Sequence, residues 1–363
     1  MLRAVARINL AAIERNCARL AGVAAPAALC AVVKADGYGH GAVPAARAAL
    51  AGGARRLAVA TADEAAQLRA AGLDGPLLVM GALSEEELGV ALAARADVVA
   101  WREDFVAGLA ARGASAGVHV KLDTGMGRLG TRDPDEAARV AAAVDAAPGL
   151  RLAGLMTHFA TADEEDQTFL RRQLDAFTPW ARAHAREGVL VHAANSAATL
   201  AAPEARFGLV RCGVGIYGLD PFQSDAAARG LEPALELRSY LAEVKRAEPG
   251  QSAGYGRRFV AERATWIGTV PIGYGDGVRR ALGDNADVLV AGRRLPVVGA
   301  VSMDNLAVDL GDDPPPRGAE VVLIGPGLPA EAMAARLGTI NYEVTCGISA
   351  RVPREYHRDG APA

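Results

Sequence analysis

A lysine beside a glycine-rich segment is the feature of this chain with the clearest chemical potential. Lys34 ends the apolar run Ala31-Val-Val and is followed by Ala-Asp-Gly-Tyr38-Gly-His-Gly41. A lysine amine at a strand end can form a Schiff base with a carbonyl compound, and glycines let the backbone close tightly around a ligand. Taken alone, such a lysine is commonly a solvated charge where a strand leaves the core. Tyr38, four residues on, adds a second functional group and favours the chemical interpretation.

The elements that would position this lysine are short apolar runs rich in Val and Leu, which alternate with longer alanine-rich segments of helical character. This is the pattern of repeated βα units. Thr61 and Ser84 precede acidic residues, as at helix N-termini. About eight runs, the number that a closed barrel needs, predict a TIM-type (β/α)8 barrel over residues 1–228 rather than an open doubly wound sheet. The predicted strands are residues 29–35, 56–60, 77–81, 97–101, 117–123, 152–159, 190–196 and 208–218.

The pattern changes after about residue 228, where the alternation of strands and helices stops. Apolar residues then tend to alternate, turn residues recur, and a helical segment returns only near residues 329–337. We therefore predict a second, mainly β domain over residues 229–363. Its clearest strands are residues 264–272, 287–290, 295–301 and 320–324.

Composition narrows the classes of function. The chain has 363 residues, 51% of them hydrophobic, which is enough for two hydrophobic cores. Its net charge of -3 gives no positively charged surface of the kind that binds nucleic acid or an anionic membrane. A small-molecule ligand is the better expectation. The four cysteines are widely spaced, so neither a disulfide framework nor a metal site is indicated. The longest run without charged or strongly polar residues, 20–33, is too short to span a membrane, and we expect a cytoplasmic protein.

Polar residues gather at the predicted C-terminal ends of the barrel strands, which form the catalytic face of such barrels. Five different strands contribute, which makes chance placement an inadequate explanation. These residues are Lys34 on the first strand, Lys121 and Asp123 on the fifth, His158 on the sixth, Asn195 and Ser196 on the seventh, and Arg211 on the eighth.

The segment around Lys34 resembles the cofactor-lysine signature of the alanine racemases, enzymes that carry pyridoxal 5′-phosphate (PLP) on that lysine. Lys121-Leu-Asp-Thr-Gly-Met-Gly-Arg128-Leu-Gly130 resembles a second signature of the family. The resemblance implies that Arg128 lies near the PLP ring oxygen and the substrate carboxylate. In some members the lysine corresponding to Lys121 is carbamylated and holds that arginine in place.

Further segments resemble the family's cofactor site. His158 resembles the histidine that links the catalytic tyrosine to the arginine behind the cofactor. The backbone of Gly213-Val214-Gly215 offers N–H donors and little bulk for a phosphate. The cofactor-binding residues implied by the resemblance are Lys34, Tyr38, His158, Asn195, Ser196, Arg211, Gly213, Val214 and Tyr342, of which Ser196, Gly213, Val214 and Tyr342 would surround the phosphate.

Arg211 narrows the range of expected PLP-dependent reactions, because by resemblance it faces the pyridine nitrogen of PLP. A permanently charged guanidinium disfavours a proton on that nitrogen and makes the ring a weaker electron sink than a carboxylate would. A weaker sink favours return of a proton to the α-carbon over transamination. The expected reaction is therefore racemisation.

Racemisation needs proton donors and acceptors on opposite faces of the amino acid. Lys34 can serve one face, and Tyr255 resembles the family's second base, which reaches the active site of the other subunit. A homodimer is implied. By the same resemblance Tyr274 forms part of the substrate entrance and Met303 contacts the substrate carboxylate. Three positions depart from the commonest family pattern and bear on substrate range: Gly275 in place of alanine, Val278 in place of an aromatic residue and Asn305 in place of glutamine.

The resemblance spans both predicted domains and implies a PLP-dependent racemase that interconverts L- and D-alanine by a two-base mechanism. Three alternatives stay open at this point. The first is an amino-acid racemase of broader specificity, for example for serine. The second is a PLP-dependent decarboxylase on the related barrel, which Arg211 disfavours. The third is a non-catalytic PLP-binding protein, although such proteins are typically a barrel alone.

Overall fold

The N-terminal strand shows how the chain is divided. The computed structural model describes residues 2–363, which form two compact units. The barrel unit is Ile13–Ile216, and the C-terminal unit combines residues 2–12 with Tyr217–Ala363. Strand β1 (Val5–Asn9) pairs with two strands formed by residues far along the chain, 235–240 and 354–358, and therefore belongs to the C-terminal unit. The expected division at 228/229 differs from this one, because such long-range pairing leaves no local pattern in the sequence.

The barrel unit contains eight parallel strands, which confirms the predicted barrel. They are β2 (Ala28–Val32), β3 (Arg56–Val59), β4 (Leu77–Val79), β5 (Val98–Ala100), β6 (Ala116–Lys121), β7 (Leu150–Met156), β8 (Leu190–His192) and β9 (Leu209–Cys212). Their order is β4-β3-β2-β9-β8-β7-β6-β5. A parallel bridge between Leu78 and Asp97 joins the two ends of this order, with the Val79 N–H donating to the Asp97 carbonyl at 2.9 Å. The sheet therefore closes on itself.

Helices accompany these strands, and side chains cap several of them. The Thr61 and Ser84 hydroxyls each accept from the backbone N–H of a glutamate three residues on, Glu64 or Glu87, whose carboxylate accepts from the backbone in return. These capping boxes confirm the predicted helix starts. The helices are α1 (Leu10–Ala24), α2 (Lys34–Tyr38), α3 (Ala42–Ala51), α4 (Ala62–Ala70), α5 (Glu85–Ala93), α6 (Glu103–Ala111), α7 (Pro134–Ala146), α8 (Thr168–His184) and α9 (Ser196–Ala201).

Several predicted strands extend too far at the catalytic end. Lys34 begins α2, two residues after β2, while His158 follows β7 in a loop. Asn195 and Ser196 lie at the start of α9, and Asp123 lies two residues beyond β6. The excess length has a physical cause. Residues beyond the strand ends are still buried: Val33 donates its N–H to the Ala58 carbonyl at 2.9 Å, and Phe159 lies three residues beyond β7, so an apolar pattern reports burial as well as strand pairing.

The C-terminal unit is mainly β, as predicted. Its strands after β1 are β10 (Leu235–Tyr240), β11 (Glu243–Ala247), β12 (Ser252–Ala253), β13 (Phe259–Val260), β14 (Thr265–Val270), β15 (Asp287–Val290), β16 (Arg293–Val298), β17 (Leu306–Gly311), β18 (Glu320–Ile324), β19 (Arg354–Arg358) and β20 (Ala361–Pro362). Ten strands form one sheet in the order β11-β14-β17-β16-β15-β18-β10-β1-β19-β20, and β12 pairs with β13. The helices are α10 (Ala330–Leu337), as predicted, and α11 (Asn341–Cys346).

Candidate active site

The segment α2 is a left-handed turn after Lys34 rather than a regular right-handed helix. Ala35, Asp36, Gly37 and Tyr38 have φ angles of 52°, 51°, 62° and 54°. Residues with a Cβ enter this region at a cost of about 1–2 kcal/mol each. Such strain persists only where the surrounding structure holds it, and it clusters at functional sites. The turn is therefore a constrained segment rather than an ordinary surface loop.

Side chains from neighbouring segments hold this turn. Glu64 Oε1 accepts from the Ala35 N–H at 2.6 Å, and Asp36 Oδ1 accepts from the Ala42 N–H at 2.8 Å. His40, which is fully buried, has Nδ1 at 3.0 Å from the carbonyl oxygens of Gly37 and Tyr38. Because carbonyls only accept, Nδ1 of His40 carries its proton. Sequence reasoning missed His40 and Glu64, although a histidine within a glycine-rich segment was an available signal.

Tyr38, Ser196 and Gly213 form a small cradle of donors in the barrel unit. The Ser196 Oγ accepts from the N–H groups of Gly213 and Gly215 at 3.1 and 3.2 Å, which leaves its own O–H to donate elsewhere. A Cβ at Gly213 would lie only 2.3 Å from the Tyr38 hydroxyl oxygen. Hydroxyls and N–H groups with no side-chain bulk between them are the donors that a phosphate needs. Val214 lies between these glycines at the start of a short 3-10 segment, while Asn195 uses its Oδ1 to cap α9 at 2.9 Å.

The loop after β6 presents Arg128 to solvent. Asp123 anchors this loop by accepting from the N–H groups of Gly125 and Gly127 at 3.1 and 3.0 Å. A bridge between Leu122 and Thr131 closes the base of the loop. Arg128 is exposed, and within residues 2–363 its side chain forms neither a hydrogen bond nor an ion pair. Asp123 is thus a structural anchor, and Arg128 is the group available to a ligand.

Arg211 is a buried cation held by neutral acceptors. Its guanidinium donates to Nδ1 of His192 at 2.8 Å, to Nδ1 of His158 at 3.1 Å, and to the carbonyls of Thr157 and Ala193 at 2.9 and 3.1 Å. Burial lowers the pKa of Arg211 to about 10, so it stays charged near neutral pH. No carboxylate of the described chain pairs with it. The contact expected between His158 and Arg211 is present.

Positive charges concentrate around His158. Burial lowers its pKa well below the ordinary histidine value, and the charges of Arg211, Lys121, Arg128 and Lys34 add to that shift in decreasing order. These four cations therefore lie close enough to act on one imidazole. A site with this field attracts anionic ligands.

Lysine is rare in this chain, and two of its three lysines lie in this site. The chain has 39 basic residues, but only Lys34, Lys121 and Lys245 are lysines. Lys245 is exposed on β11, whereas Lys121 is buried and has its pKa lowered to about 8, chiefly by burial and then by Arg211 and Arg128. An amine can act as a nucleophile where a guanidinium cannot. Lys34 and Lys121 are therefore the only lysine amines of this site.

A row of polar side chains inside the barrel was not foreseen. His192 Nε2 and His119 Nδ1 are 2.8 Å apart, and His119 Nε2 lies 3.5 Å from Asp97 Oδ2. Both histidines are fully buried. Their positions, 97, 119 and 192, are too far apart to form a motif. The available signal was His119 itself, a polar residue between two valines of a predicted strand.

Three expected site residues lie together on the C-terminal unit. Tyr255, Met303 and Tyr274 are 73%, 51% and 43% exposed. The Tyr274 N–H donates to the Ser302 carbonyl and the Gly275 N–H to the Met303 carbonyl, both at 2.9 Å, so these two turns are adjacent. The turn at Tyr255 lies beside the same segment, since a Cβ at Gly254 would be 3.5 Å from the Ala300 carbonyl.

Buried polar groups fix the other expected residues of this unit. Asp276, behind the Tyr274 turn, accepts from Arg3 and from the Gly273 N–H, the latter at 3.0 Å. Tyr342 follows Asn341, whose Nδ2 donates to the Asp220 carbonyl and to Glu331, each at 2.8 Å. A Cβ at Gly275 would lie 2.2 Å from Nη1 of Arg351, so the glycine leaves space for this arginine.

Comparisons with known proteins show the family of this chain. The family model "Alanine racemase, N-terminal domain" matches residues 8–221, and "Alanine racemase, C-terminal domain" matches residues 234–356. The chain is 42% identical over 362 residues to the alanine racemase of Desulforamulus reducens, covering 97% of this chain and 98% of that protein. It is 42% identical over 372 residues to alanine racemase 1 of Bacillus subtilis, covering 98% and 93%.

A solved structure of an alanine racemase is also similar to this chain. The crystal structure of alanine racemase from D-cycloserine-producing Streptomyces lavendulae matches with a TM-score of 0.92 at 40% identity, covering 98% of this chain and 97% of that one. Both the sequence and the fold are thus shared along nearly the whole length. This chain belongs to the alanine racemase family, whose enzymes depend on PLP.

Proposed function

We propose that this protein is a PLP-dependent racemase that interconverts L- and D-alanine. The observation that carries the proposal is Arg211, a buried cation whose histidine partners accept hydrogen bonds and which pairs with no carboxylate in the described chain. A group of this kind beside the cofactor nitrogen disfavours its protonation, which favours racemisation over transamination.

The residues of the barrel unit fit PLP. The hydroxyls of Ser196 and Tyr38 offer uncharged donors that suit a phosphate, and the N–H groups of Gly213 and Gly215 hold the Ser196 Oγ in place. Lys34 supplies the amine that the aldehyde requires. The surplus of positive charge around His158 matches the negative charge of the phosphate and of a substrate carboxylate. We propose Tyr342 and Asn195 as further cofactor contacts.

The mechanism follows from what these side chains do. When bound, PLP supplies an electron sink that makes the Cα–H bond of an amino acid acidic. Arg128, exposed at the tip of its loop, binds the substrate carboxylate and orients the Cα–H bond. Lys34 removes or returns the Cα proton on one face. Tyr255 performs the opposite transfer on the other face, so the proton taken from one side is replaced from the other and the configuration inverts.

We further propose that the working unit is a homodimer in which Tyr255 of one subunit completes the site of the other. Tyr255, Tyr274 and Met303 form an exposed, largely apolar group on the C-terminal unit, and exposed apolar patches mark surfaces that bind a partner. In this arrangement Tyr274 forms part of the substrate entrance and Met303 contacts the substrate carboxylate.

Among residues 2–363, the helices are all too short or too polar to cross a lipid bilayer. None of the four cysteines forms a disulfide. We propose a cytoplasmic enzyme, because cysteines that form no disulfide are typical of reducing compartments.

The direct test is chiral analysis of purified protein incubated with L-alanine, with and without added PLP. We expect D-alanine to form until both enantiomers are equal, and PLP to increase the rate in cofactor-depleted protein. L-serine and larger or basic amino acids, assayed in parallel, would reveal a broader racemase if they react as well as alanine. Release of carbon dioxide without D-alanine would instead identify a decarboxylase and contradict the proposal.

A further inference from the structure

A row of side chains crosses the barrel interior from Arg211 to the carboxylate of Asp97. Arg211 Nη1 is 2.8 Å from Nδ1 of His192, and His192 Nε2 is 2.8 Å from Nδ1 of His119. His119 Nε2 lies 3.5 Å from Oδ2 of Asp97. The four residues come from β9, β8, β6 and the residue before β5. We call these four residues the relay.

The protons of the relay follow from its geometry. Arginine can only donate, so Nδ1 of His192 accepts and its Nε2 carries the proton. That proton is donated to Nδ1 of His119, which leaves the His119 proton on Nε2, facing Asp97. A second proton on either ring would set two donors against each other. Both rings are therefore neutral, and burial accordingly lowers the pKa of both histidines.

Two glycines lie beside the relay and leave space for it. A Cβ at Gly154 in β7 would lie 2.2 Å from Nδ1 of His119, and a Cβ at Gly117 in β6 would lie 2.1 Å from Oδ1 of Asp97. Neither glycine has a positive φ, so the backbone does not require glycine there. Glycine weakens a strand interior and marks a close approach. These two glycines leave the space that the His119 ring and the Asp97 carboxylate occupy.

The carboxylate at the far end is itself held in place. Arg56 Nη1 lies 2.5 Å from Asp97 Oδ2, and Arg151 Nη2 lies 3.6 Å from Oδ1. Both partners of Asp97 are cations, so it stays ionised and can only accept. At 3.5 Å from Nε2 of His119 the carboxylate forms no short hydrogen bond with that atom, but its negative charge favours the His119 proton on Nε2 and, through it, the orientation of His192.

We propose that His119, anchored on Asp97, is a positioning residue that locks His192 in the tautomer able to accept from Arg211. No carboxylate orients the Arg211 guanidinium, so the orientation of its plane depends on the neutral nitrogen and carbonyl oxygen atoms that accept its hydrogen bonds. If the His192 ring flipped or carried its proton on Nδ1, it would present a C–H group or a donor to Arg211. Arg211 would then lose one of its hydrogen bonds. The expected effect on kcat rests on the proposed function, whereas the expected tautomer of His192 does not.

The test combines 15N-histidine NMR of the PLP-loaded protein with kinetics of two variants. In the wild type we expect His192 and His119 to be protonated on Nε2. His119→Phe keeps the ring volume but removes the acceptor, and we expect mixed or altered protonation of His192 and a fall in kcat of about tenfold, with KM for alanine within about threefold. His119→Asn places an amide oxygen near the Nδ1 position and should restore the His192 signal and most of kcat.

Arg186→Gln is the matched control, since Arg186 pairs with Asp145 at the surface and contacts no residue of the relay. It should leave both readouts unchanged. Protonation of His192 on Nδ1 in the wild type would overturn the proposal even if His119→Phe failed to fold. An unaltered His192 signal and kcat in folded His119→Phe would overturn it as well. If the wild type does not racemise alanine, the proposed function fails, while the NMR result still decides the role of His119.

Discussion

The Tyr38 hydroxyl lies directly against Gly213: a methyl group added to this glycine would come within 2.3 Å of the Tyr38 oxygen. Tyr38 is buried in a turn held by His40, so it cannot easily move away. Gly213 also donates its N–H to Ser196 at 3.1 Å. The absence of a side chain at residue 213 therefore lets the Tyr38 and Ser196 hydroxyls both lie against this backbone segment, where we propose that the PLP phosphate binds.

Gly213→Ala should weaken PLP binding by roughly tenfold or more, because displacing one hydroxyl from a charged ligand costs about 1.5–3 kcal/mol. Titration of cofactor-depleted protein with PLP, followed by absorbance, measures this affinity. Gly108→Ala in α6 is the matched control, since a Cβ there meets no atom within 4 Å. Equal PLP affinity in the two variants would contradict a phosphate site at Gly213.

Mixing two inactive variants tests the shared active site. Lys34→Ala should lose activity and the visible absorbance of lysine-bound PLP, and Tyr255→Phe should lose most activity. In a mixed dimer one of the two sites regains both Lys34 and Tyr255, so random mixing should restore about a quarter of the wild-type activity. No recovery in verified mixed dimers would mean that Tyr255 acts within its own chain.

Tyr255→Phe should also affect the two enantiomers unequally. Because each base serves one face, we expect loss of the tyrosine hydroxyl to slow proton removal from L-alanine more than from D-alanine. Incorporation of solvent deuterium at Cα, measured from each enantiomer separately, reports these steps. Equal slowing for both enantiomers would count against Tyr255 as the base for one face.

Lys121 should react with carbon dioxide. Its pKa of about 8 leaves about one tenth of the amine neutral at pH 7, against about one part in 2,500 for an ordinary lysine, and only the neutral amine forms a carbamate. We expect one carbamate signal in 13C NMR with labelled bicarbonate, stronger at pH 8 than at pH 6.5. Lys121→Arg should lose this signal, whereas Lys245→Arg should keep it. A signal that survives Lys121→Arg would refute the assignment.

Asp276 should stabilise the C-terminal unit in a pH-dependent way. Burial opposes its ionisation, but Arg3, the Gly273 N–H and Arg351 hold its pKa below the ordinary value. A carboxylate with a depressed pKa stabilises the fold above its unfolded pKa of about 4, and this contribution is lost as the pH falls through the folded pKa. Asp276→Asn should lower the free energy of unfolding by about 2 kcal/mol at pH 7, allowing for the partial exposure of Arg3, and by much less near pH 3.

Denaturant unfolding at both pH values measures this effect. Asp104→Asn, which breaks the exposed pair with Arg102, is the control and should change stability far less. A destabilisation by Asp276→Asn that is the same at pH 7 and pH 3 would exclude the ion pair as its cause.

The sequence by itself determined the barrel, the β domain and the segments that carry the chemistry. Each βα unit is a local alternation, and a lysine beside a glycine turn is a local signal, so neither needs knowledge of distant residues. Strand ends were less well determined, because apolar residues such as Phe159 stay buried beyond the end of a strand.

Only the tertiary structure decided which distant residues meet. The pairing of β1 with β10 and β19 assigned the N-terminus to the C-terminal unit. Closure of the barrel brought Asp97, His119 and His192 into one row behind Arg211, although nearly a hundred residues of sequence separate the first from the third. Such contacts depend on which strands become neighbours and on where glycines leave space, and those properties exist only once the barrel has closed.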